Sequence, residues 1–301
     1  MPSRNDTPYP RQTLSYLREL LHNHGIRPKN KLGQNFLIDL NLLDLIVRTA
    51  DVSRSDLALE VGSGTGSLTT RLSEKAGAVV TVEIDQDFFA LARETVGEAG
   101  NVQLLHMDVL KNKNELNPQV LSAVKETYRA FRCESVKLVA NLPFAVATPV
   151  IANLLMEELD LNRMVVTVQW EIASRLLAKP GSKDYGALAV LVQSLAEVKL
   201  IRKLPPSVFW PRPKVDSAIV AIFPSKAKRA AIPDLKRFRN FLRDLYVHRR
   251  KNLRSALTGL PAGRRSKQEV DARLAELGID PAARAETLTL EQHLRLCDWF
   301  G

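Results

Sequence analysis

Up to about residue 224 the chain alternates short apolar runs with stretches of helical spacing. Leu57–Val61, Ala78–Val82, Val102–Met107, Val136–Ala140 and Arg163–Gln169 each have strand length. Leu57–Val61 reads as a buried parallel strand and Val136–Ala140 as a buried one, because their runs are apolar with no in-out alternation. Between them, Asp39 is placed to cap a helix through Ala50 whose apolar face is Leu42, Leu43, Ile46 and Val47. Further helices are predicted over Ser67–Lys75 and Pro149–Met156, and leucines from Thr13 to Leu21 predict one that stops at His24-Gly25. Strand-length runs return at Ala196–Leu204 and Val215–Phe223. The connection Pro205–Pro213 is too rich in proline to pair as a strand. Its Phe209 and Trp210 either pack into the core, cover a site or touch a ligand. Ser225–Pro233 reads as a basic, alanine-rich linker. Beyond it the period is helical to the end: Leu235–Val247, Arg249–Leu257, Gln268–Leu277, and Leu290–Trp299 after a Thr289 cap. The expectation is an α/β fold with a small all-α C-terminal domain.

Composition narrows the partners. The 301 residues include 45% hydrophobic ones, enough for a full core, and 43 Lys plus Arg against 33 Asp plus Glu give a formal net charge of +10. Such an excess favours a polyanion, nucleic acid before anionic membrane. Basic residues crowd the start of the helical tail, among them Arg243, Arg249, Arg250 and Lys251. Cys133 and Cys297 stand far apart with no metal-ligand spacing, so neither a disulfide framework nor a metal site is expected. No run approaches membrane-spanning length, and the polar, proline-bearing start lacks the apolar core of a secretory signal. Arg11–Leu21 leaves an organellar transit helix open; the cytoplasm is the expected location.

The chemistry gathers at the carboxyl ends of the strands, where open α/β sheets bind ligands. Leu57–Val61 runs straight into Gly62-Ser63-Gly64-Thr65-Gly66, a strand-to-helix turn that lets backbone approach a ligand closely. The spacing is not that of dinucleotide binders, because Ser67 stands where their third glycine falls. Glu83 ends the next strand, about 20 residues on, where a carboxylate binds ribose hydroxyls. Asp108-Val109 follows the third strand, an acceptor for an adenine amino group beside an apolar cover. Asn141-Leu142-Pro143-Phe144 closes the fourth: an amide and carbonyls that accept from an amino group, and a ring that stacks on a flat base. Read singly, each is also an ordinary cap, turn or core residue.

In that order the set resembles the class I S-adenosylmethionine-dependent methyltransferases, in the version that methylates exocyclic amino groups of bases. Broader segments resemble the small-subunit ribosomal RNA adenine dimethyltransferases of the KsgA type. They are Leu32-Gly33-Gln34-Asn35-Phe36-Leu37, the stretch Gln169–Gly186 containing Ala178-Lys179-Pro180-Gly181-Ser182-Lys183-Asp184-Tyr185-Gly186, Pro211-Arg212-Pro213-Lys214-Val215-Asp216-Ser217, and Arg249-Arg250-Lys251-Asn252-Leu253. The resemblance runs from about Lys31 to the end. It implies a Rossmann-like, mostly parallel sheet closed by an antiparallel hairpin. The expected domains are an N-terminal helical extension over 1–30, the methyltransferase domain over 31–224 and a helical RNA-binding domain over 225–301.

It further implies S-adenosyl-L-methionine as cofactor, held by Asn35, Leu37, Gly62, Glu83, Asp108 and Asn141, with Gln34, Gly64 and Val109 as weaker additions. The implied reaction is N6,N6-dimethylation of two adjacent adenosines in a 3′-terminal stem-loop of small-subunit rRNA, during maturation of an immature small ribosomal subunit. Asn141, Leu142, Pro143 and Phe144 would be catalytic; Lys214, Arg243, Arg249, Arg250 and Lys251 would meet RNA. A monomer without a metal or a membrane contact is expected. An erythromycin-resistance type acting on large-subunit RNA shares the amino-methylating motif, but the Ala178–Gly186 stretch and the helical tail argue against it. A purely binding role is opposed by the intact Glu83, Asp108 and Asn141. Against the family pattern, Phe144 replaces a more frequent Tyr, Ala145 and Ala147 replace Asn and Ser, and Ser63 replaces Pro.

Overall fold

The structure, a computed structural model, describes residues 14–29, 32–263 and 265–301. Thr13, Asn30, Lys31 and the rest of the expected extension before Leu14 lie outside the described residues. In chain order the elements begin with α1 (Leu14–Asn23), β1 (Phe36–Leu37), α2 (Leu40–Ala50), β2 (Asp56–Val61), α3 (Ser67–Lys75), β3 (Ala78–Glu83), α4 (Gln86–Val96) and β4 (Val102–His106). There follow β5 (Leu110–Asn112), β6 (Glu115–Leu116), α5 (Pro118–Ala130), β7 (Ser135–Asn141), α6 (Ala147–Met156), β8 (Leu161–Gln169), α7 (Trp170–Leu177), α8 (Ala187–Gln193), β9 (Ala196–Leu204), β10 (Phe209–Trp210) and β11 (Ser217–Pro224). The helices α9 (Lys226–Ala230), α10 (Leu235–Val247), α11 (Leu253–Thr258), α12 (Lys267–Glu276) and α13 (Leu290–Phe300) complete the chain. Among the described residues no helix is long and apolar enough to cross a membrane.

A seven-stranded sheet runs β4-β3-β2-β7-β8-β11-β9. Its pairs β2/β3, β3/β4, β2/β7 and β7/β8 are parallel. Every residue of β2 and β3 is buried, as expected for strands covered on both faces. The outer strand β9 exposes Lys199, Arg202 and Lys203, charges that discourage edge-to-edge pairing. From β2 the chain builds outward through β3 and β4, then returns to build the other way through β7 and β8. The crevice between the carboxyl ends of β2 and β7 is therefore the switch point, the place where such sheets take ligands.

Contacts divide the chain into two compact units. Among the described residues the first takes those up to 153, with 159–170 and 201–221; the second takes 154–158, 171–200 and those from 222 on, so α7 and α8 group with the C-terminal helices. In the first unit, α1 buries Leu17 and Leu21 with Phe88 and Leu91 of α4, and Phe36 and Trp210 pack against this cluster. In the second, Phe238, Phe241, Leu242 and Leu245 of α10 and Leu296 and Phe300 of α13 form the core.

Three local expectations are corrected. Phe209 and Trp210 do pair as a short strand, antiparallel to Leu37 and Phe36, because they are the two residues of the proline-rich connection placed to offer backbone to β1. Phe209 is buried and Trp210 half-buried, which selects the packing reading for both. The supposed linker holds α9: Ser225 caps it by accepting from Lys228 N, and Lys, Ala and Arg are good helix formers. The helix expected from Arg249 starts at Leu253, because the Asn252 side chain accepts from Ser255 N and caps it there.

Candidate functional site

The glycine turn after β2 is shaped by contacts that exclude side chains. Gly62, Gly64 and Gly66 all have positive φ (83°, 53° and 79°), a region costly for other residues. A Cβ on Gly62 would meet Pro143 Cγ at 3.0 Å, and one on Gly64 would meet Phe36 Cε1 at 2.9 Å. The turn is thus in direct contact with the Asn141–Phe144 motif on one side and with β1 on the other.

Glu83 ends β3 as predicted and is 7% exposed. One carboxylate oxygen accepts from Gly64 N at 3.0 Å, the other from Ile84 N and Asp85 N, each at 3.0 Å. Burial pushes its pKa above the ordinary carboxylate value, the three N–H donors pull it down, and the Asp85 charge adds to the upward push. The carboxylate is therefore fixed in place and joined to the glycine turn. Asp108 is exposed and accepts from Leu110 N at 2.9 Å; Val109 beside it is buried.

The segment 32–37 lies against this edge. Gln34 Oε1 accepts from Lys29 N at 2.7 Å, and its Nε2 donates to Asp85 Oδ2 at 3.2 Å. Lys29 Nζ bonds Asp85 at 2.8 Å and Asp87 at 3.3 Å. Burial alone would raise the Asp85 pKa, but the bonds from Lys29 and Gln34 hold it below the usual value. Asn35 Nδ2 donates to Gly33 O at 3.1 Å. Asn141 Nδ2 donates to the carbonyl of Asn35 at 2.8 Å. Only the NH2 end of an amide can donate to a carbonyl, so this bond fixes the amide orientation and leaves Asn141 Oδ1 as the acceptor.

Together these residues line a cleft of about 180 Å³: Gly62 and Gly64, Glu83, Asp108 and Val109, Gln34 and Asn35, and Asn141 with Pro143. Leu37 stands outside the lining, its side chain buried and its backbone paired with Phe209. Leu142 is buried behind the motif and Phe144 is half-buried at its flank, also outside the lining. Gly33 approaches Phe144 closely enough that a Cβ would meet its backbone N at 3.0 Å. Ala145 is exposed, while Ala147 is 1% exposed at the first position of α6.

Sequence reasoning passed over Ile84, which is 47% exposed yet lines the cleft next to Glu83. It also passed over the Lys29–Asp85 pair and over Glu60. Glu60 is 1% exposed, and its Oε2 accepts from Thr69 Oγ1 at 2.5 Å and Thr81 Oγ1 at 2.7 Å. Burial raises its pKa to about 8, against the two hydroxyl donors and with help from Glu83. Unfolded chains ionise this carboxyl near pH 4.5 and the folded state near 8, so stability is full below the first value and falls as pH rises towards the second. Glu60→Gln cannot ionise and is expected to gain on the wild type between pH 5 and pH 8.5 by an amount on the order of a few kcal/mol. Thermal melts across that range check this; two parallel pH profiles would contradict it.

The residues expected at RNA separate. Lys214, Arg250 and Lys251 are exposed. Arg243 is exposed and paired with Asp244 at 2.8 Å. Arg249 is half-buried and turned towards Glu286.

A profile of the ribosomal RNA adenine dimethylase family matches residues 25–301. Among curated relatives, the ribosomal RNA small subunit methyltransferase A of Pelotomaculum thermopropionicum is 40% identical over 288 residues, 94% of this chain and 95% of its own length. The protein of the same name from a Geobacillus species is 38% identical over 280 residues, covering 93% and 94% of the two chains. Among solved structures, a dimethyladenosine transferase from Plasmodium falciparum shares the fold, with a TM-score of 0.69 at 24% identity over 86% of this chain and 94% of that one. The 23S rRNA methyltransferase ErmE gives a TM-score of 0.60 at 25% identity over 88% and 99%.

Proposed function

The chain belongs to the ribosomal RNA adenine dimethylase family, and from that membership we propose that it dimethylates the N6 amino groups of two adjacent adenosines in a 3′-terminal stem-loop of small-subunit rRNA. The observation that carries the reading is the bond from Asn141 Nδ2 to Asn35 O, which leaves Oδ1 as an acceptor on a residue lining the switch-point crevice.

The cleft fits S-adenosylmethionine by the chemistry of its groups. Gly62 and Gly64 line the cleft with backbone alone, because Pro143 and Phe36 fill the places their side chains would take. Glu83 offers a held carboxylate to ribose hydroxyls, Asp108 an exposed one to an adenine amino group, and Ile84 and Val109 offer apolar cover. Gln34 spends both ends of its amide on Lys29 and Asp85, so it positions the segment that carries Asn35. When bound, the cofactor supplies a methyl group on a positively charged sulfur.

The amino nitrogen of adenine is a poor nucleophile because its lone pair is delocalised into the ring. Asn141 Oδ1 and the Leu142 carbonyl would accept its two N–H bonds and favour a pyramidal nitrogen with its lone pair freed for methyl transfer. Phe144 stacks on the flipped base, a contact typically worth about 1–3 kcal/mol. Alignment does most of the work. The nitrogen sheds its proton to water after attack, so no general base is needed. A monomethylated amine keeps one N–H and a lone pair, which permits the second transfer. Residues 31–224 act as the methyltransferase domain and 225–301 as the helical RNA-binding domain, in which Arg243, Arg250 and Lys251, with Lys214 of the first, meet phosphates. The enzyme works as a cytoplasmic monomer on immature small subunits and needs no metal.

Asp85→Asn tests the positioning role. Asn caps α4 as well as Asp does, but it loses the charge that holds Lys29. With Lys29 partly exposed, cofactor affinity is expected to fall only about three- to tenfold, at a nearly unchanged melting temperature. Titration calorimetry reads the first and a thermal melt the second; full affinity would remove Asp85 from the account. For the function itself, undermethylated small and large subunits are incubated separately with the protein and methyl-labelled cofactor. Label in the small-subunit RNA alone is expected; label in the large-subunit RNA would favour the activity named for ErmE.

A further inference from the structure

The basic stretch Arg249-Arg250-Lys251 reads in the sequence as one block of phosphate contacts, and the structure splits it. Arg250 and Lys251 are exposed. Arg249 is half-buried: its Nε donates to Glu286 Oε2 at 2.7 Å and its Nη2 donates to the Lys183 carbonyl. The Glu286 backbone carbonyl in turn accepts from Gly181 N at 2.7 Å. One guanidinium and one backbone hydrogen bond therefore tie the turn over residues 179–186 to the short 3-10 turn Ala285–Thr287.

The far end of the first turn is anchored separately. Tyr185 is fully buried, and its ring meets His293 edge-on with centroids 6.2 Å apart. Tyr246 lies nearly parallel to that imidazole with centroids 5.9 Å apart, and its hydroxyl is 3.1 Å from Nε2. His293 Nδ1 donates to Thr289 O at 2.8 Å, which makes Nε2 the acceptor, and burial pushes the His293 pKa down to about 4, so the ring is neutral. A rigid, uncharged base thus supports a turn whose Lys179 and Lys183 are exposed.

We propose that Arg249 and Glu286 are positioning residues for RNA binding: they form a strut that fixes the 179–186 turn, so that Lys179 and Lys183 join Arg250 and Lys251 as a pre-set array for a phosphate backbone. The inference rests on the RNA-directed reading above. Arg249 has committed its Nε and Nη2 donors and is neutralised by a carboxylate, so it displaces no counterion from RNA. A pre-ordered array binds better because the ordering entropy is spent in folding.

The test is binding of full-length variants to undermethylated small subunits over a range of salt concentrations, with cofactor affinity measured in parallel to confirm folding. Glu286→Ala is expected to weaken binding about tenfold, although it removes a negative charge that repels phosphate. Glu286→Gln keeps an oxygen for Arg249 and is expected to stay within about twofold of wild type. Arg249→Ala should weaken binding without changing the slope of log K against log salt, whereas Lys251→Ala should reduce that slope by about 0.7–0.9. Unchanged or tighter binding by Glu286→Ala, or a slope change in Arg249→Ala equal to that of Lys251→Ala, overturns the proposal. A wild-type protein that binds no small subunit overturns it together with the functional reading.

Discussion

Asn141→Ala is expected to lower kcat by about 10²–10³-fold while cofactor affinity stays within severalfold of wild type. The acceptor Oδ1 is lost, and with it the alignment of the substrate amine, for which misplacement by about 1 Å costs roughly a hundredfold. Asn141→Asp separates this role from the one at the other end of the amide. It keeps the shape and the acceptor but places a carboxylate oxygen against the Asn35 carbonyl, where the amide N–H donates at 2.8 Å. Repulsion there displaces the segment carrying Asn35, so Asp, unlike Ala, should lose cofactor affinity as well as kcat. Single-turnover rates and calorimetric titration of the two variants measure the split. An Asn141→Ala enzyme that turns over at full rate would sink the alignment mechanism.

Glu83→Ala is expected to weaken cofactor binding by about 10²–10³-fold, as befits removal of a held carboxylate from hydroxyl and amide donors. It also strands three backbone N–H groups, of Gly64, Ile84 and Asp85, that now share its two oxygens. Because Gly64 belongs to the turn that touches Phe36, the loss should loosen the turn and lower the melting temperature by several degrees. Glu83→Gln keeps one oxygen and should fall between, about tenfold weaker than wild type. Fluorescence or calorimetric titration decides. An alanine variant that binds within threefold of wild type would mean that this carboxylate does not hold the cofactor.

The strands and the order of the motifs were legible because they are local. Strands buried on both faces are mostly apolar, and β2, β3, β7 and β8 were each placed within two residues or fewer of their observed ends. The residues that follow them fall on one edge by topology alone, so Glu83, Asp108 and Asn141 could be placed together at that edge without any contact being known. What was not legible depends on pairs distant in the chain. Nothing near Lys29 announces Asp85, nor does anything near Asn35 announce that its carbonyl orients Asn141. Glu60 looks like one more strand residue; its burial between Thr69 and Thr81, on a neighbouring helix and strand, is what makes it neutral. The same holds for Phe209 and Trp210, whose pairing needs β1 as a partner. Arg249 looks like its neighbours until Glu286 and Lys183 are brought to it. In the helical tail, Asn252 and Thr289 show how far local signals reach: both cap their helices, but only Thr289 stood at the expected start.

The central claim is that this site transfers four methyl groups to two neighbouring adenosines of the small-subunit RNA. Its most direct test is mass spectrometry of nuclease fragments from undermethylated small subunits incubated with the protein and isotopically labelled S-adenosylmethionine. The account predicts one 3′-terminal fragment carrying labelled N6,N6-dimethyladenosine at two adjacent positions. Normal cofactor binding with no labelled dimethyladenosine in that fragment would contradict it.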